Sequence, residues 1–428
     1  MSSVSQQQVP PAYQKTDFGI IPEDWDVATI GDKCNLLTGF PFPSSKYTES
    51  GVRLLRGSNV KRGVTDWSEG ITQYWPALTA DIRQYQLQEK DIVISMDGSL
   101  VGRSFAQLSK SDLPAILLQR VARLRSDDIE IAYLKEWVCS KFFTGHCDSV
   151  KTVTAIPHIS PADIRSFKFT YPKQREEQAS IAKALSDVDA LTLSLEKLIA
   201  KKRAIKTAAM QQLLTGKKRL PPFDKAHTGY KQTELGRIPE DWEVNNFSDI
   251  AIPKSNRINP KVDGGGALCI ELEHVNQGSG TINGSTLTTS ESSLKSVFNV
   301  GDVLFGKLRS YLRKYWIADG NGVCSTEIWV LKANEHRSIP RFIFQLVQTD
   351  RFIDCTSESY GTHMPRSDWN VVKSFLVATP SIDEQSAMAD ILSEMDEEVV
   401  VLVQRLNKTQ ELKQGMMQEL LTGRTRLV

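Results

Sequence analysis

Two segments of the chain carry their apolar residues in a narrow helical stripe. From Glu177 to Leu214 no glycine or proline interrupts the sequence, and apolar residues recur at Ile181, Leu185, Val188, Leu191, Leu195, Leu198 and Ile205, in steps of three, four or seven. From Glu384 onward, Met388, Leu392, Met395, Val399, Leu402 and Leu406 follow in alternating steps of four and three. A run of about 38 residues at 1.5 Å per residue is a rod of roughly 57 Å, too long for one small domain to cover but suited to a second rod of the same kind. The pattern predicts two long helices forming an antiparallel coiled coil. In it Ile181, Leu185, Val188, Leu195 and Leu198 of one rod face Met388, Leu392, Met395, Val399, Leu402 and Leu406 of the other. Two independent solvated amphipathic helices are the alternative, and they would leave both stripes uncovered.

The remaining sequence reads differently. Short β-like runs ("DIVIS", "RVARLR", "DVLFG", "EIWVLKA") mix with helix-like pieces ("IAYLKEWVCSKFF", "IPRFIFQLVQTDRF") and turn signals such as "DGG", "NQGSG" and "DGNG". The expected fold class is α+β. Two similar domains with mixed, curved sheets lie at 1–171 and 221–379, followed by helices at 172–220 and 380–428.

These four blocks are one plan written twice. "TDFGIIPEDWDV" from Thr16 returns as "TELGRIPEDWEV" from Thr233, "KDIVISMDGSLVGR" from Lys90 answers "GDVLFGKLRSYLRK" from Gly301, and "MQQLLTGKKRL" from Met210 answers "MQELLTGRTRL" from Met417. The matches keep their order along the chain, as a duplication requires. Gly216 and Gly423 stand where left-handed C-caps would end the rods, with Lys217, Lys218 and Arg219, or Arg424 and Arg426, placed to favour the helix dipole. Trp25 and Trp242, after "IPED", read as packing anchors.

Charge sharpens the picture of the rods. Residues 172–220 hold 11 basic against 5 acidic residues, net +6, and residues 380–428 hold 5 against 9, net −4, so the two rods attract. The globular segments are balanced, at 19 against 19 and 17 against 18. Over the whole chain the net charge is +1, with 40% hydrophobic and 24% charged residues, an ordinary globular composition. Six cysteines without a CxxC pair read as reduced thiols, and the longest aliphatic run, Val399 to Val403, is too short to span a bilayer. No membrane role and a cytoplasmic location are expected.

Within the domains, candidate nucleic-acid contacts are short polar and cationic side chains on turns. "RGSNVKRG" offers Asn59, Lys61 and Arg62; its counterpart offers His274, Asn276 and Gln277 beside Glu273. "GKLRSYLRKYW" sets Lys307, Arg309, Arg313 and Lys314 around Tyr311 and Tyr315, and its counterpart offers Arg103. His158, His363 and Arg366 lie near Pro157 and Pro365. Solvated surface loops would show the same composition. No GxxxxGK[ST] phosphate loop occurs, "LPPF" from Leu220 reads as a helix breaker, and the one E-x-K, Glu411 to Lys413, reads as a solvated coiled-coil face. No residue is expected to be catalytic and no metal site is expected.

The ordered set of globular domain, Pro172, Glu177, Gln178, Ile181, Leu185, Asp189, long helix and "LLTG", followed by Pro380, Glu384, Gln385, Met388, Leu392, Asp396, helix and "LLTG", resembles the specificity subunits of type I restriction-modification systems, over essentially the whole chain. The second copy departs in being one residue shorter between Pro380 and Glu384, and in having Arg366 and Ser367 where the first has His158 and Ile159. The resemblance implies that each globular segment is a target recognition domain reading one half of a split site on double-stranded DNA. The helices would set the spacing and dock two modification (methyltransferase) subunits. S-adenosylmethionine would sit on the methyltransferase, ATP and magnesium on a separate restriction and motor subunit, and no cofactor in this chain. Two competing classes are a repeat-built protein scaffold that does not touch DNA and a self-sufficient nuclease.

Overall fold

The computed structural model describes residues 9–225, 229–357 and 365–427. The chain divides into two compact units. One is Met1–Ser194 with Asn407–Val428, the other Leu195–Leu406. The two long helices are Arg175–Leu213 and Ile382–Leu420, 39 residues each. Each is divided between the units near its midpoint, so neither rod is a body of its own.

In the first unit the central sheet runs Asn35–Thr38, Val121–Arg125, Ile92–Ser95, Phe105–Gln107, Arg62–Gly63. It is antiparallel except where Arg62–Gly63 joins Phe105–Gln107 in parallel. In the second unit Ala251–Pro253, Ile328–Ala333, Val303–Gly306 and Tyr315–Ile317 repeat the first four strands in the same order. A second sheet in each unit, three-stranded in the first and five-stranded in the second, contains one parallel pair, Val52–Leu55 with Ala115–Leu117 and Leu268–Ile270 with Gly322–Ser325. Helices Ile131–Val138 and Lys141–Val150, matched by Pro340–Leu346 and Asp350–Ser357, pack beside the sheets. The α+β expectation and the duplication hold at the level of strand order.

Within each unit, the start of one rod runs antiparallel to the end of the other. In the first unit Lys413 Nζ reaches both oxygens of Asp189 at 2.7 Å and Arg426 reaches Glu177 at 2.7 Å, so partners rise in number on one helix as they fall on the other. In the second, Lys202 pairs with Glu398 (2.6 Å), Lys206 with Asp396 (2.5 Å) and Arg219 with Glu384 (2.7 Å). The basic character of the first rod and the acidic character of the second are used in these pairs.

The apolar seam follows the predicted stripe except at Leu191, Leu198 and Ile205, which are exposed. Ile181 and Leu185 share a core with Met417, Leu420 and Leu421, and Met388 and Leu392 share one with Met210, Leu213 and Leu214, Met395 packing at its edge. Leu195 is buried, Val188 half-buried. Leu198, however, is exposed and Ile199 is buried in its place. Apolar residues stand at both positions, and the four-three seam from Leu195 continues to Ile199, then to Lys202 and Lys206, which a purely apolar stripe passes over. On the second rod Met395, Val399, Leu402 and Leu406 are half-buried and the seam continues through Thr409 to Lys413. Lys413 therefore corrects the reading of Glu411–Lys413 as a solvated face. Glu411 is exposed, but the Lys413 side chain is only 14% exposed and its ammonium also lies 3.3 Å from the buried carboxylate of Glu136.

The repeated signals at the rod ends dock on the domains. Gly423 adopts φ +71°, and a Cβ there would lie 2.5 Å from Pro22 Cδ and 3.2 Å from Trp25. Gly216 adopts φ +68° and meets Pro239 and Trp242 in the same way, at 2.3 and 3.3 Å. Tyr13 Oη donates to the Gly423 carbonyl (3.4 Å), and Tyr230 Oη to that of Gly216 (3.3 Å). "LLTG" is thus both a helix stop and the face that meets "IPEDW". Trp25 and Trp242 are fully buried against it. Gln178 and Gln385, in the frame after each proline, have structural work too. Gln178 donates to the Pro172 carbonyl (2.7 Å) and accepts from Glu130 N (2.8 Å); Gln385 donates to Pro380 O (2.9 Å) and accepts from Ile339 N (3.2 Å). Each amide fixes its rod to the start of a domain helix.

Two glycines near the end of one helix therefore differ in consequence. Gly423→Ala combines a left-handed backbone with a Cβ clash and is expected to destabilise by about 2 kcal/mol or more. Gly415→Ala, in open space within the second rod, is expected to stabilise by about 0.5–1 kcal/mol. Thermal melts of the two variants check the pair of opposite signs.

Candidate nucleic-acid interface

In each unit a tight turn follows the strand Ile92–Ser95 or Val303–Gly306. In the first unit it is built on Gly98 (φ +102°) and Gly102 (φ +75°). A Cβ at Gly102 would stand 2.6 Å from that of Cys147, so glycine is the residue that fits. In the second unit the same left-handed positions are held by Arg309 (φ +54°) and Arg313 (φ +52°). That backbone disfavours an L side chain by roughly 1–2 kcal/mol at each site. The middle of each turn lifts a large side chain into solvent: Leu100 is 57% exposed and Tyr311 54%.

The two arginines serve different ends. Arg313 donates to the Gln348 carbonyl (3.3 Å) and pairs with Asp350, which ties the turn to the neighbouring helix. Arg309 is exposed, and among the described residues its guanidinium has no partner. Lys314 Nζ is occupied by the Leu272 carbonyl (2.5 Å), and Tyr315 is buried in the core. The predicted track of basic residues around two tyrosines thus reduces, on the exposed side, to Arg309 and Tyr311.

At the root of each turn a carboxylate is held by basic side chains. In the first unit His158 Nδ1 lies 2.7 Å from Asp97 Oδ1, and Arg120 lies 3.5 Å from the same oxygen. In the second, Arg366 donates to Glu327 Oε1 (2.8 Å), while Glu327 Oε2 is buried without a partner among the described residues. Burial, the largest influence, lowers the basicity of Lys307, with Glu327 opposing it and Arg366 and Arg257 adding to it. His158 and Arg366 occupy matching backbone bridges, to Asp97 and to Leu308. The acid, though, comes from this turn in one unit and from the short turn between Gly322–Ser325 and Ile328–Ala333 in the other. His363 lies outside the described residues.

The loop beside each turn belongs to the same surface. Phe105 N donates to the Lys61 carbonyl (3.1 Å), and Gly278 N to that of Arg313 (2.9 Å). Arg62 and Gln277 are exposed, and Lys61 is 3.9 Å from Asp66. Asn59 is a correction. It is fully buried, its Oδ1 accepting from Arg56 N (3.1 Å) and its Nδ2 donating to Asp66 O (2.9 Å), so it offers no surface to a ligand. His274 caps its own turn by accepting from Glu271 N (2.9 Å), and Asn276 donates to Thr281 (2.9 Å). Arg103 is held by both oxygens of Asp148 (3.2 and 2.7 Å), and Arg103, with Lys151 behind it, holds the Asp148 carboxyl down at about 2. Sequence reasoning passed over Asp97, Arg120, Glu327 and Leu100. The first three are legible only as a charge exchange between the copies, Asp97 and Arg120 standing against Leu308 and Glu327.

The described residues contain no group of His, Cys, Asp or Glu arranged to hold a metal ion, and no helix among them is long and apolar enough to cross a membrane. Burial pushes the thiols of Cys34, Cys139, Cys147 and Cys324 up to about 12, away from nucleophilic use.

This duplicated arrangement has known counterparts. The family model for the type I restriction modification DNA specificity domain matches residues 22–207 and again 239–414. The chain is similar to the type I restriction enzyme EcoAI specificity subunit of Escherichia coli, 34% identical over 212 residues, an alignment that takes in 49% of this chain and 34% of that one. It is also similar to the type I restriction enzyme MjaVIII specificity subunit of Methanocaldococcus jannaschii, 26% identical over 428 residues and covering 95% and 94% of the two chains. Its fold is that of the crystal structure of the type I restriction-modification system S subunit from M. genitalium, with a TM-score of 0.56, 16% identity, and 93% and 96% of the two chains covered. The chain belongs to the family of type I restriction modification DNA specificity domains.

Asn59 and Arg62 are separable by stability alone. Asn59→Ala strands a buried backbone amide and a carbonyl and is expected to destabilise by about 1–3 kcal/mol. Arg62→Ala removes an exposed side chain and should stay within about 0.5 kcal/mol of the parent. Denaturant melts of both variants decide this.

Proposed function

We propose that this chain is the DNA specificity subunit of a type I restriction-modification complex, in which each globular unit reads one half of an asymmetric bipartite site. The observation that carries this reading is the presence of two copies of one framework that differ at the turn. Gly98, Leu100 and Gly102 stand against Arg309, Tyr311 and Arg313, and the clamped carboxylates are contributed by different turns. Frameworks that match while their exposed side chains differ suit two unlike half-sites. The long helices set the unspecified spacer between the halves and dock the methyltransferase subunits, two in number. The chain performs no chemistry itself. S-adenosylmethionine belongs to the methyltransferase, and ATP and magnesium to a restriction and motor subunit.

The near-balanced charge of each globular segment gives little long-range steering. Tight binding then depends on the methyltransferase completing the grip on the phosphates, and binding by the chain alone is weak and falls steeply with salt.

Because the connections at "IPEDW" and "LLTG" are the same in both copies, residues 230–379 form an exchangeable cassette. Replacing them with the matching segment of a relative is expected to change one half of the methylated sequence and keep the other half and the spacer. Mapping methylated adenines in cells that carry the exchanged subunit with its methyltransferase tests this. A simultaneous change in both halves would contradict independent reading.

A further inference from the structure

A DNA-contacting role for the turn Arg309–Arg313 rests on the function just proposed, and the turn holds more than that function requires of it. The same backbone is built in the first unit from Gly98 and Gly102, so the fold itself asks for glycine at both left-handed positions. Arg313 has an internal reason to be there, through Gln348 and Asp350. Arg309 has none among the described residues. It keeps a disfavoured backbone, its side chain is exposed, and a Cβ-free residue would close the turn with less strain. Two residues on, the aromatic ring of Tyr311 stands 54% exposed. Lys307 lies two residues before Arg309 in the same turn, and Arg366, which bridges Leu308 through the backbone, donates to the one carboxylate there, Glu327, so basic side chains flank the turn's root.

A cation on a strained turn, an exposed aromatic beside it and basic side chains at its base are what a polyanion with flat apolar faces would recognise. We infer that the turn Arg309–Arg313 enters a groove of the DNA, with the Arg309 guanidinium against a base edge, Tyr311 against the bases at one step, and Lys307 with Arg257 toward the flanking phosphates. In the first unit Leu100 occupies the ring's place and Gly98 that of Arg309, so that unit makes the apolar contact without this cation. The two units then differ in kind at the same structural position. One uses an aliphatic wedge, the other a ring with a hydrogen-bonding cation.

The test uses the strain itself. Arg309→Gly restores the residue type that the first unit uses and should leave the melting temperature of the full chain unchanged or raised. In the assembled complex with its methyltransferase, mapped by adenine methylation, the same variant is expected to lower methylation of the parental site at least about tenfold, or to relax base choice in only one half-site. Tyr311→Ala is expected to act on that same half, with Tyr311→Phe recovering most of the loss because it keeps the ring. Leu100→Ala is expected to act on the other half. An Arg309→Gly complex that methylates the parental sequence at the parental level overturns the inference and leaves the proposed function standing. A parent complex that methylates no bipartite sequence overturns the proposed function, and this inference with it.

Discussion

The structure depends on an ion pair made twice, between a glutamate at the start of one rod and an arginine just past the end of the other. Glu177 is buried against Arg426, and Glu384 against Arg219, each through two hydrogen bonds of 2.7–3.0 Å. Both arginines also hold an aspartate of the "IPEDW" motif, Asp24 or Asp241. One guanidinium thus joins three parts of a unit: the incoming helix, the outgoing helix and the domain's first hairpin. Such pairs add little net stability over an apolar contact, but an unmatched arrangement would leave a carboxylate buried without a cation. Their use is to exclude other registers, which apolar seams alone do poorly.

On this frame the sites are free to differ. The rod ends, the C-cap glycines, the tryptophans and the glutamines after each proline repeat from copy to copy. The turns and their clamped carboxylates do not. The contacts between the rods differ as well. Lys413 faces Asp189 and the buried Glu136, whereas Lys206 faces Asp396 and the neutral amide of Gln348. Each helix end is thereby matched to its own domain by charge as well as by shape.

Much of this was legible in the sequence because it rests on periodicity and repetition. The rods, their antiparallel sense, the caps and the α+β class follow from spacing, from the opposite charge of the two helices and from duplicated motifs. The seam positions Lys202, Lys206 and Lys413 were not legible, because a lysine in a stripe declares itself only when its carboxylate partner is known. The partners of Lys206 and Lys413 lie 190 and 224 residues away along the chain. Leu198 was read into the seam in place of Ile199 because both are apolar and they are neighbours. Asn59 has the composition of a contact residue and the role of a turn brace. Composition cannot separate these two, since both require a short hydrogen-bonding side chain between glycines. Arg309 could be named from sequence, but its left-handed backbone and a guanidinium without a partner among the described residues, which together set it apart from Arg313 and Lys314, could not.

The central claim is that the rod-end arginine and the opposite rod's buried glutamate act as one unit. A double-mutant cycle on Arg426 and Glu177 measures this directly. Arg426→Ala, Glu177→Gln and the double variant are each melted in denaturant beside the parent. The account predicts a coupling energy of about 2 kcal/mol or more, with the double variant less destabilised than the sum of the two single variants. Additive losses, with coupling indistinguishable from zero, would contradict it.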